Sequence, residues 1–156
     1  MIHIRPSRDH RLIARLNEEV QNLHHQMYPH IFKPYDQKGI EAFMKTMFSE
    51  GGAEALVAWS QDQAVAYLVY RVLEQKETSY KYADRVIYID QIHVDQGMRK
   101  TGLGKALLEE VKQIGRRHKV SAIQLDHWSA NDGARAFFGK NGFQYFQEKM
   151  TFIFFS

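Results

Sequence analysis

The sequence predicts a single domain of mixed α/β (α+β) class, and three observations indicate it. Several short segments alternate apolar and polar residues, which is typical of strands. Other segments repeat apolar residues every three or four positions, which is typical of amphipathic helices. No repeat or low-complexity stretch divides the 156 residues, so we expect one domain over residues 1–156.

The N-terminal half predicts one strand, two helices and a hairpin. Residues 2–5 alternate before a proline and predict a short strand. Helical periods follow in residues 9–23 and 40–48, with prolines between them and a glycine pair after the second. The period then changes to two in residues 55–59 and 64–73, and the polar residues between these runs predict a hairpin.

The C-terminal half predicts strands and helices in alternation. A strand at 85–94 leads through a glycine-rich turn into a strongly amphipathic helix that opens near Leu103. A short strand at 122–125 precedes a helix at 131–141, and residues 143–155 predict two final strands. The expected architecture is a mixed, mainly antiparallel sheet of six to seven strands with about four helices.

Composition excludes several classes of protein. The sequence has no cysteine, which excludes a disulfide framework, a thiolate zinc site, an iron–sulfur cluster and a cysteine nucleophile. No apolar run approaches the roughly 20 residues of a membrane span, and no signal-type apolar segment opens the chain. We therefore expect a cytoplasmic protein without membrane contact.

The charge balance is mildly basic, with 21 Lys and Arg against 18 Asp and Glu, a net charge of +3. These cations are scattered rather than clustered and no recognition motif accompanies them, so we expect no nucleic-acid partner. An anionic small molecule explains the balance better.

The most informative segment is the glycine turn at residues 99–104, Arg-Lys-Thr-Gly-Leu-Gly, between a strand and a helix. Glycines let backbone N–H groups approach an anion closely, and a helix N-terminus favours negative charge. The turn is not a P-loop, because no Lys-Ser/Thr pair follows the glycines, and it lacks the third glycine of a dinucleotide fingerprint. The alternative without a ligand is an ordinary tight turn into a helix.

Two motifs at the expected distance from each other resemble those of the GNAT superfamily of N-acetyltransferases. Arg-x-x-Gly-x-Gly at 99–104, after Ile92-His93-Val94, is similar to the acetyl-CoA-binding segment of that family. Residues 131–138, Asn-Asp-Gly-Ala-Arg-Ala-Phe-Phe, followed by Gly-Phe at 142–143, resemble its second signature. The resemblance implies a GNAT-like sheet with a splayed central strand pair, and acetyl-CoA as co-substrate.

The resemblance also implies which residues bind the coenzyme. The turn would hold the pyrophosphate through its backbone amides, and the preceding strand would bind the thioester and the pantetheine arm. The second motif would contact the pantetheine arm and the CoA tail. The implied residues are Ile92, His93, Val94, Arg99, Lys100, Thr101, Gly102, Leu103, Gly104, Lys105, Asn131, Ala134 and Phe137.

Two of these motif positions have an alternative interpretation or depart from the family. Asn131 is also explained as a plain helix N-cap, and both roles are compatible. Many members place a tyrosine at position 138 as general acid to the CoA thiolate, whereas this chain has Phe138, which has no proton to give. Another group would protonate the thiolate, or it would leave unaided, since a thiol has a pKa of about 8.5.

The catalytic candidates lie on the strand before the turn. Acetyl transfer needs an unprotonated amine, so a base or a water chain must remove a proton. Asp90 matches the position of a base in several members, with Tyr88 or water as the alternative and a structural aspartate as the interpretation without catalysis. Strict alternation would put Tyr88, Asp90, Ile92 and Val94 on one face and His93, as a structural histidine, on the other.

The acceptor pocket would be built by the first helices, the loop between them and the central hairpin. Residues 24–35 carry histidines and aromatics that suit an amine held against an apolar or cation–π wall. His24 and His25 are adjacent on a helix and point apart, so we expect no metal site.

These expectations combine into an acetyl-CoA-dependent N-acetyltransferase that acts directly on a primary amine of a small molecule or a protein. Without cysteine there is no acetyl-cysteine intermediate, so transfer would occur in a ternary complex. The alternative is a CoA-binding sensor or structural protein with weak catalysis, which Phe138 favours. The resemblance also allows a homodimer.

Overall fold

The computed structural model of the protein describes residues 1–155. The chain divides into two compact units, Met1–Asp126 and a smaller one that begins at His127. The single-domain organisation stays a prediction.

The elements follow one another in the order strand, three helices, three strands, helix, strand and helix. They are β1 (Ile2–Ser7), α1 (His10–Leu16), α2 (Glu18–Met27), α3 (Gln37–Ser49), β2 (Ala53–Ser60), β3 (Gln63–Gln75), β4 (Asp84–Val94), α4 (Leu103–Arg117), β5 (Ala122–Leu125) and α5 (Asp132–Lys140). A 3₁₀ turn, Gln96–Met98, lies between β4 and α4. All of these elements except α5 belong to the larger unit.

The sheet is mixed and mainly antiparallel, as the sequence predicts. Its strands lie in the order β1-β2-β3-β4-β5. The first three pairs are antiparallel and the last pair, β4 with β5, is parallel. A right-handed crossover is the usual link between parallel neighbours, and here α4 is the element between them.

Helices cover the sheet because side chains of successive strand residues point to opposite faces. On one face, Leu12 and Ile13 of α1 and Met44 of α3 form a buried cluster with Tyr67 and Val69 of β3. Helix α4 contacts β2, β3, β4 and β5 and is amphipathic. Its fully buried side chains are Leu107, Leu108 and Val111.

The element count differs from the prediction, because the described residues form five strands and five α-helices. The helix predicted for residues 9–23 is divided at Asn17, which ends α1 just before α2 begins. The Asn17 side-chain amide donates to the hydroxyl of Tyr67 at 3.1 Å. The division therefore coincides with a polar contact to the sheet, and no proline or glycine marks it.

The prediction of two final strands in residues 143–155 is wrong, since these described residues form no strand. A β-strand of a sheet needs a neighbouring strand to pair with its backbone groups. Apolar residues in this stretch, including Met150, Phe152 and Phe154, are more than three-quarters exposed, at 93%, 80% and 84%. The apolar pattern alone did not determine the structure.

Across the described residues, no helix has both the length and the apolar character to cross a membrane.

We expect Met44→Ala to lower the free energy of unfolding by about 2–5 kcal/mol, because it leaves a cavity in the cluster under the sheet. Met44 is 1% exposed, whereas its neighbour Phe43 is 52% exposed. Urea unfolding followed by circular dichroism measures the change, with Phe43→Ala as the control on the same helix. Equal losses for the two variants would contradict this assignment of the core.

Candidate active site

The glycine turn brings free backbone amides to the start of α4. Lys100 and Gly102 both have positive φ, 61° and 85°, so the backbone alternates in handedness across Thr101. Among the described residues, the N–H groups of Lys100, Thr101 and Gly102 donate no turn hydrogen bond. The first amides of α4 have no carbonyl partner within the helix. Successive amides of this kind form a concave site for an anion.

The cations near the turn differ in how they are held. Arg99 folds back, and its Nε donates to the carbonyl oxygen of Val94 at 3.3 Å. Its Nη2 lies 3.9 Å from the Oε2 of Glu19 on α2. Lys100 and Lys105 are exposed beside the turn. The turn therefore combines unpaired donors with positive charge.

The strand before the turn has an open edge. β4 pairs with β5 only from Val86, opposite Ala122, to Ile89, opposite Leu125. β4 continues to Val94, whereas β5 ends at Leu125. Beyond Ile89, the backbone of β4 on this side has no β5 partner, and its amides and carbonyls are available to an extended ligand.

A bulge interrupts β4 at Asp90. In the register with β3, Tyr70 is opposite Ile89 and Val69 is opposite Gln91, so Asp90 has no partner of its own. An inserted residue of this kind shifts the alternation of all side chains beyond it.

Because of the bulge, the prediction that Tyr88, Asp90, Ile92 and Val94 share one face is wrong. Residues directly opposite each other in an antiparallel pair share a face. His93 is opposite Tyr67 and Tyr88 is opposite Arg71, two odd-numbered residues of β3, so both lie on the face covered by α1 and α3. Ile92, opposite Leu68, lies on the other face.

Asp90 is held by an ion pair with Arg71. The Nε of Arg71 donates to Oδ2 at 2.9 Å and its Nη2 donates to Oδ1 at 2.8 Å. The two side chains are 30% and 16% exposed, so the pair is partly withdrawn from water. Bidentate pairing fixes the carboxylate in one orientation and leaves its remaining lone pairs free.

Tyr88 stands beside this ion pair. Its hydroxyl donates to Oδ2 of Asp126, and the Arg71 guanidinium lies 5.6 Å from the centre of its ring. Burial raises the pKa of Tyr88, and the bond to Asp126 raises it further. The phenol therefore keeps its proton at neutral pH and can donate a hydrogen bond, but it is a poor base.

A buried polar chain connects the first helices to β4. Tyr67 is fully buried, and its hydroxyl donates to Oε1 of Gln91 at 2.8 Å and accepts from Asn17. Burial raises the pKa of Tyr67. Among the described residues, Oδ1 of Asn17 is the buried side-chain atom without a hydrogen-bond partner.

A second cluster, unforeseen in the sequence, joins α2 to the end of β4. The Nε2 of His93 lies 3.0 Å from Oε2 of Glu19 and 3.9 Å from Oδ1 of Asp95. Burial lowers the pKa of His93, and burial raises the pKa of Asp95. The three ligand-type atoms lie within 4.8 Å of one another, a spacing that also suits a cation. A cavity of about 350 Å³ borders Glu19 and Asp95.

The loop after α2 packs against its own helices. The hydroxyl of Tyr35 donates to the carbonyl of Ala14 at 2.7 Å, and Nδ1 of His25 lies 2.7 Å from the carbonyl oxygen of Phe32. The rings of His24 and Phe32 are 4.8 Å apart. His24 and His25 thus make separate contacts, and their role towards an acceptor stays a prediction.

Strand β4 extends beyond the end of its parallel neighbour β5 and is followed by a turn of unpaired amides and then a helix. This is the arrangement that the two motifs imply. The model of the acetyltransferase (GNAT) family matches residues 17–143. The chain belongs to the GNAT family. The match spans most of the larger unit and continues into the smaller one.

Solved structures of low identity share the GNAT fold. A mutant of the BH1408 protein from Bacillus halodurans matches with a TM-score of 0.91 at 24% identity, over 98% of this chain and 99% of that one. A ribosomal-protein-alanine N-acetyltransferase from Brucella melitensis biovar Abortus 2308 matches at 0.72 and 18%, over 99% and 100%. An aminoglycoside N-acetyltransferase in complex with CoA matches at 0.71 and 14%, over 98% and 94%. Among curated proteins, no sequence matches this chain.

The coenzyme residues expected of a GNAT protein fall in both units. Those from Ile92 to Lys105 lie at the end of β4, in the turn and in the first turn of α4. Asn131, in the smaller unit, caps α5 by accepting from the N–H of Ala134 at 3.0 Å, which confirms the N-cap interpretation. Phe137 and Phe138 are in ring contact at 5.2 Å. The coenzyme role of these α5 residues stays a prediction.

We expect Tyr67→Phe to lower the free energy of unfolding by about 1 kcal/mol, because buried Asn17 and half-buried Gln91 each lose a hydrogen-bond partner. Asn17 and Gln91 already lie 3.4 Å apart, so they recover part of the loss by pairing directly. Chemical denaturation measures the change. Tyr80→Phe, at a residue that is 80% exposed, is the control and should unfold as the wild type does. An unchanged Tyr67→Phe would contradict the polar chain.

Proposed function

We propose that this GNAT protein transfers an acetyl group from acetyl-CoA directly to a primary amine of a small molecule or a protein, in a ternary complex. The observation that carries the proposal is the turn between β4 and α4, with its unpaired amides and neighbouring cations. No cysteine is available to accept the acetyl group first. Acetyl-CoA therefore meets the amine itself.

The turn suits a pyrophosphate in both charge and geometry. A diphosphate presents several anionic oxygens, and the amides of Lys100 to Lys105 together with the helix dipole would bind them. Lys100 and Lys105 would add charge from the solvent side. Gly102 has a φ of 85°, a backbone conformation that residues other than glycine rarely adopt, so the turn depends on glycine at this position.

The open edge of β4 would bind the rest of the coenzyme. The backbone groups of Ile92, His93 and Val94 extend from the unpaired edge towards the turn. A pantetheine arm carries amide groups that can pair with such an edge as another strand would. An N–H of His93 or Val94 would stabilise the oxyanion that develops on the thioester carbonyl.

In the reaction the amine nitrogen attacks the thioester carbon, a C–N bond forms and the C–S bond breaks. The amine loses a proton, and the CoA thiolate takes one from solvent. Asp90 is the proposed proton acceptor, oriented by Arg71, which leaves a lone pair of the carboxylate free. Tyr88 would stand beside this pair as a neutral phenol, since its pKa is raised and its hydroxyl donates to Asp126.

Phe138 limits the acid side of the mechanism. It is 8% exposed and packs against the rings of Phe137 and Phe143, and it has no proton to donate. The leaving thiolate has a conjugate acid with a pKa of about 8.5, so it departs near neutrality without a dedicated acid.

A CoA-binding sensor with weak catalysis is the second candidate function. Two observations favour it: Phe138 provides no acid, and Arg71 occupies both oxygens of Asp90. Binding of CoA without acetylation of any member of a broad amine panel would support this candidate over the enzyme.

We expect Gly104→Leu to weaken CoA binding about 100-fold, because a side chain would stand where the pyrophosphate approaches the first helical amides. Isothermal titration with CoA measures the affinity of the wild type and the variant. Gly139→Leu is the matched control, since Gly139 is also helical and an added Cβ there meets nothing within 4 Å. Normal CoA binding by a folded Gly104→Leu protein would refute the cradle.

We expect Asp90→Asn to lower kcat/KM by about 10²–10⁴-fold and to shift the pH–rate profile to higher pH. An amide cannot accept the proton of the amine, so the variant depends on amine that is already deprotonated in solution. Asp126→Asn, at the neighbouring carboxylate, should retain the wild-type profile. An unchanged profile for Asp90→Asn would assign proton removal to water.

A further inference from the structure

Glu19 touches three groups in the segment that leads from β4 into the coenzyme turn. We propose that Glu19 is a positioning residue for coenzyme binding, which holds this segment and the Arg99 side chain in place from α2. The proposal rests on the proposed function, because it concerns how the same turn binds CoA.

One oxygen of Glu19 makes all of these contacts. Oε2 lies 3.0 Å from Nε2 of His93, accepts from the N–H of Gln96 at 3.1 Å and lies 3.9 Å from Nη2 of Arg99. The partners are 74 to 80 residues further along the chain, so the contacts join elements that are remote in sequence. Glu19 thereby links α2 to the end of β4, to the 3₁₀ turn and to the first motif cation.

Loss of the contact with His93 would leave a buried hydrogen-bond donor without a partner. The His93 side chain is 7% exposed, and burial lowers its pKa, so the ring is neutral near pH 7 and has one N–H. With that proton on Nε2, the ring donates to Glu19. Without Glu19 the other carboxylate beside Nε2 is that of Asp95, at 3.9 Å, which is beyond hydrogen-bond distance. A buried donor without a partner is costly, and the strand end would shift to find one.

The contact with Gln96 fixes the backbone where the chain turns. Gln96 begins the 3₁₀ turn, and Asp95, which precedes it, has a ψ of 142° that is extended rather than helical. The Gln96 N–H has no carbonyl partner among the described residues, so the Glu19 carboxylate satisfies it. A carboxylate on the first free N–H of a turn acts as a cap supplied from another helix.

Arg99 is oriented by the same carboxylate. Its Nε is bound to the carbonyl of Val94 and its Nη2 faces Glu19, so the guanidinium is held by two groups before CoA arrives. A side chain that is already ordered loses less entropy when an anion binds. Glu19 would therefore strengthen coenzyme binding although it is itself an anion.

The test compares three variants by isothermal titration with CoA. We expect Glu19→Ala to raise the Kd for CoA about 10-fold, because the segment loses its fixed position. Glu19→Gln keeps an oxygen that accepts from His93 and Gln96, so it should restore binding to within about threefold of wild type. Glu18→Ala removes an equal charge from the same helix turn and should bind as wild type.

A second measurement reads the contact without CoA. Hydrogen exchange of the Gln96 amide, followed by NMR, should be faster in Glu19→Ala and near wild type in Glu19→Gln. If the Ala variant does not fold, Gln96→Pro removes the same N–H donor at a position whose preceding residue already has the extended ψ that proline requires. That variant should also weaken CoA binding.

Wild-type CoA affinity in Glu19→Ala or Gln96→Pro would overturn the proposal, as would equal losses in Glu18→Ala or no rescue by Glu19→Gln. Failure of the wild-type protein to bind CoA would instead refute the proposed function, and Gln96 exchange would still report on the contact with Glu19.

Discussion

Strand β4 continues past the end of its parallel neighbour, and the rest of the site depends on this difference in length. Since β5 ends at Leu125, opposite Ile89, the remaining residues of β4 have no β5 partner on that side. An open edge inside a sheet is expensive unless another group satisfies its amides and carbonyls. In the proposed function that group is the extended arm of the coenzyme, and the turn after β4 binds its pyrophosphate.

Polar contacts with the first helices stabilise the same stretch of β4 on the face that α1 and α3 cover. Asn17 reaches Tyr67 and Gln91, and Glu19 reaches His93. Asn17, Tyr67 and His93 are buried, so their bonds are needed to offset the loss of water. Glu19 of α2, and Asn17 between α1 and α2, therefore stabilise the part of β4 that extends beyond β5.

Sequence patterns predicted the parts of the molecule that depend on local chemistry. The hairpin, the strand–turn–α4 passage and the α5 helix with its Asn131 cap follow from period, glycine and capping signals that lie within a few residues. The bulge at Asp90 could not be predicted, because aspartate at an inserted position has no distinct pattern and strict alternation assumes that no residue is inserted. The Glu19–His93 contact joins residues 74 positions apart, and patterns within a short stretch of sequence cannot indicate such a contact.

Binding of the coenzyme pyrophosphate by the turn at the start of α4 is tested most directly by an NMR titration of the labelled wild-type protein with CoA. Unpaired amides that gain a phosphate acceptor change their chemical shifts strongly. The proposed site predicts that the largest amide shifts fall on residues 100–105, with smaller ones along residues 92–94. Shifts that are absent there and concentrated elsewhere, for example around the cavity beside Gln63 and Ala64, would contradict it.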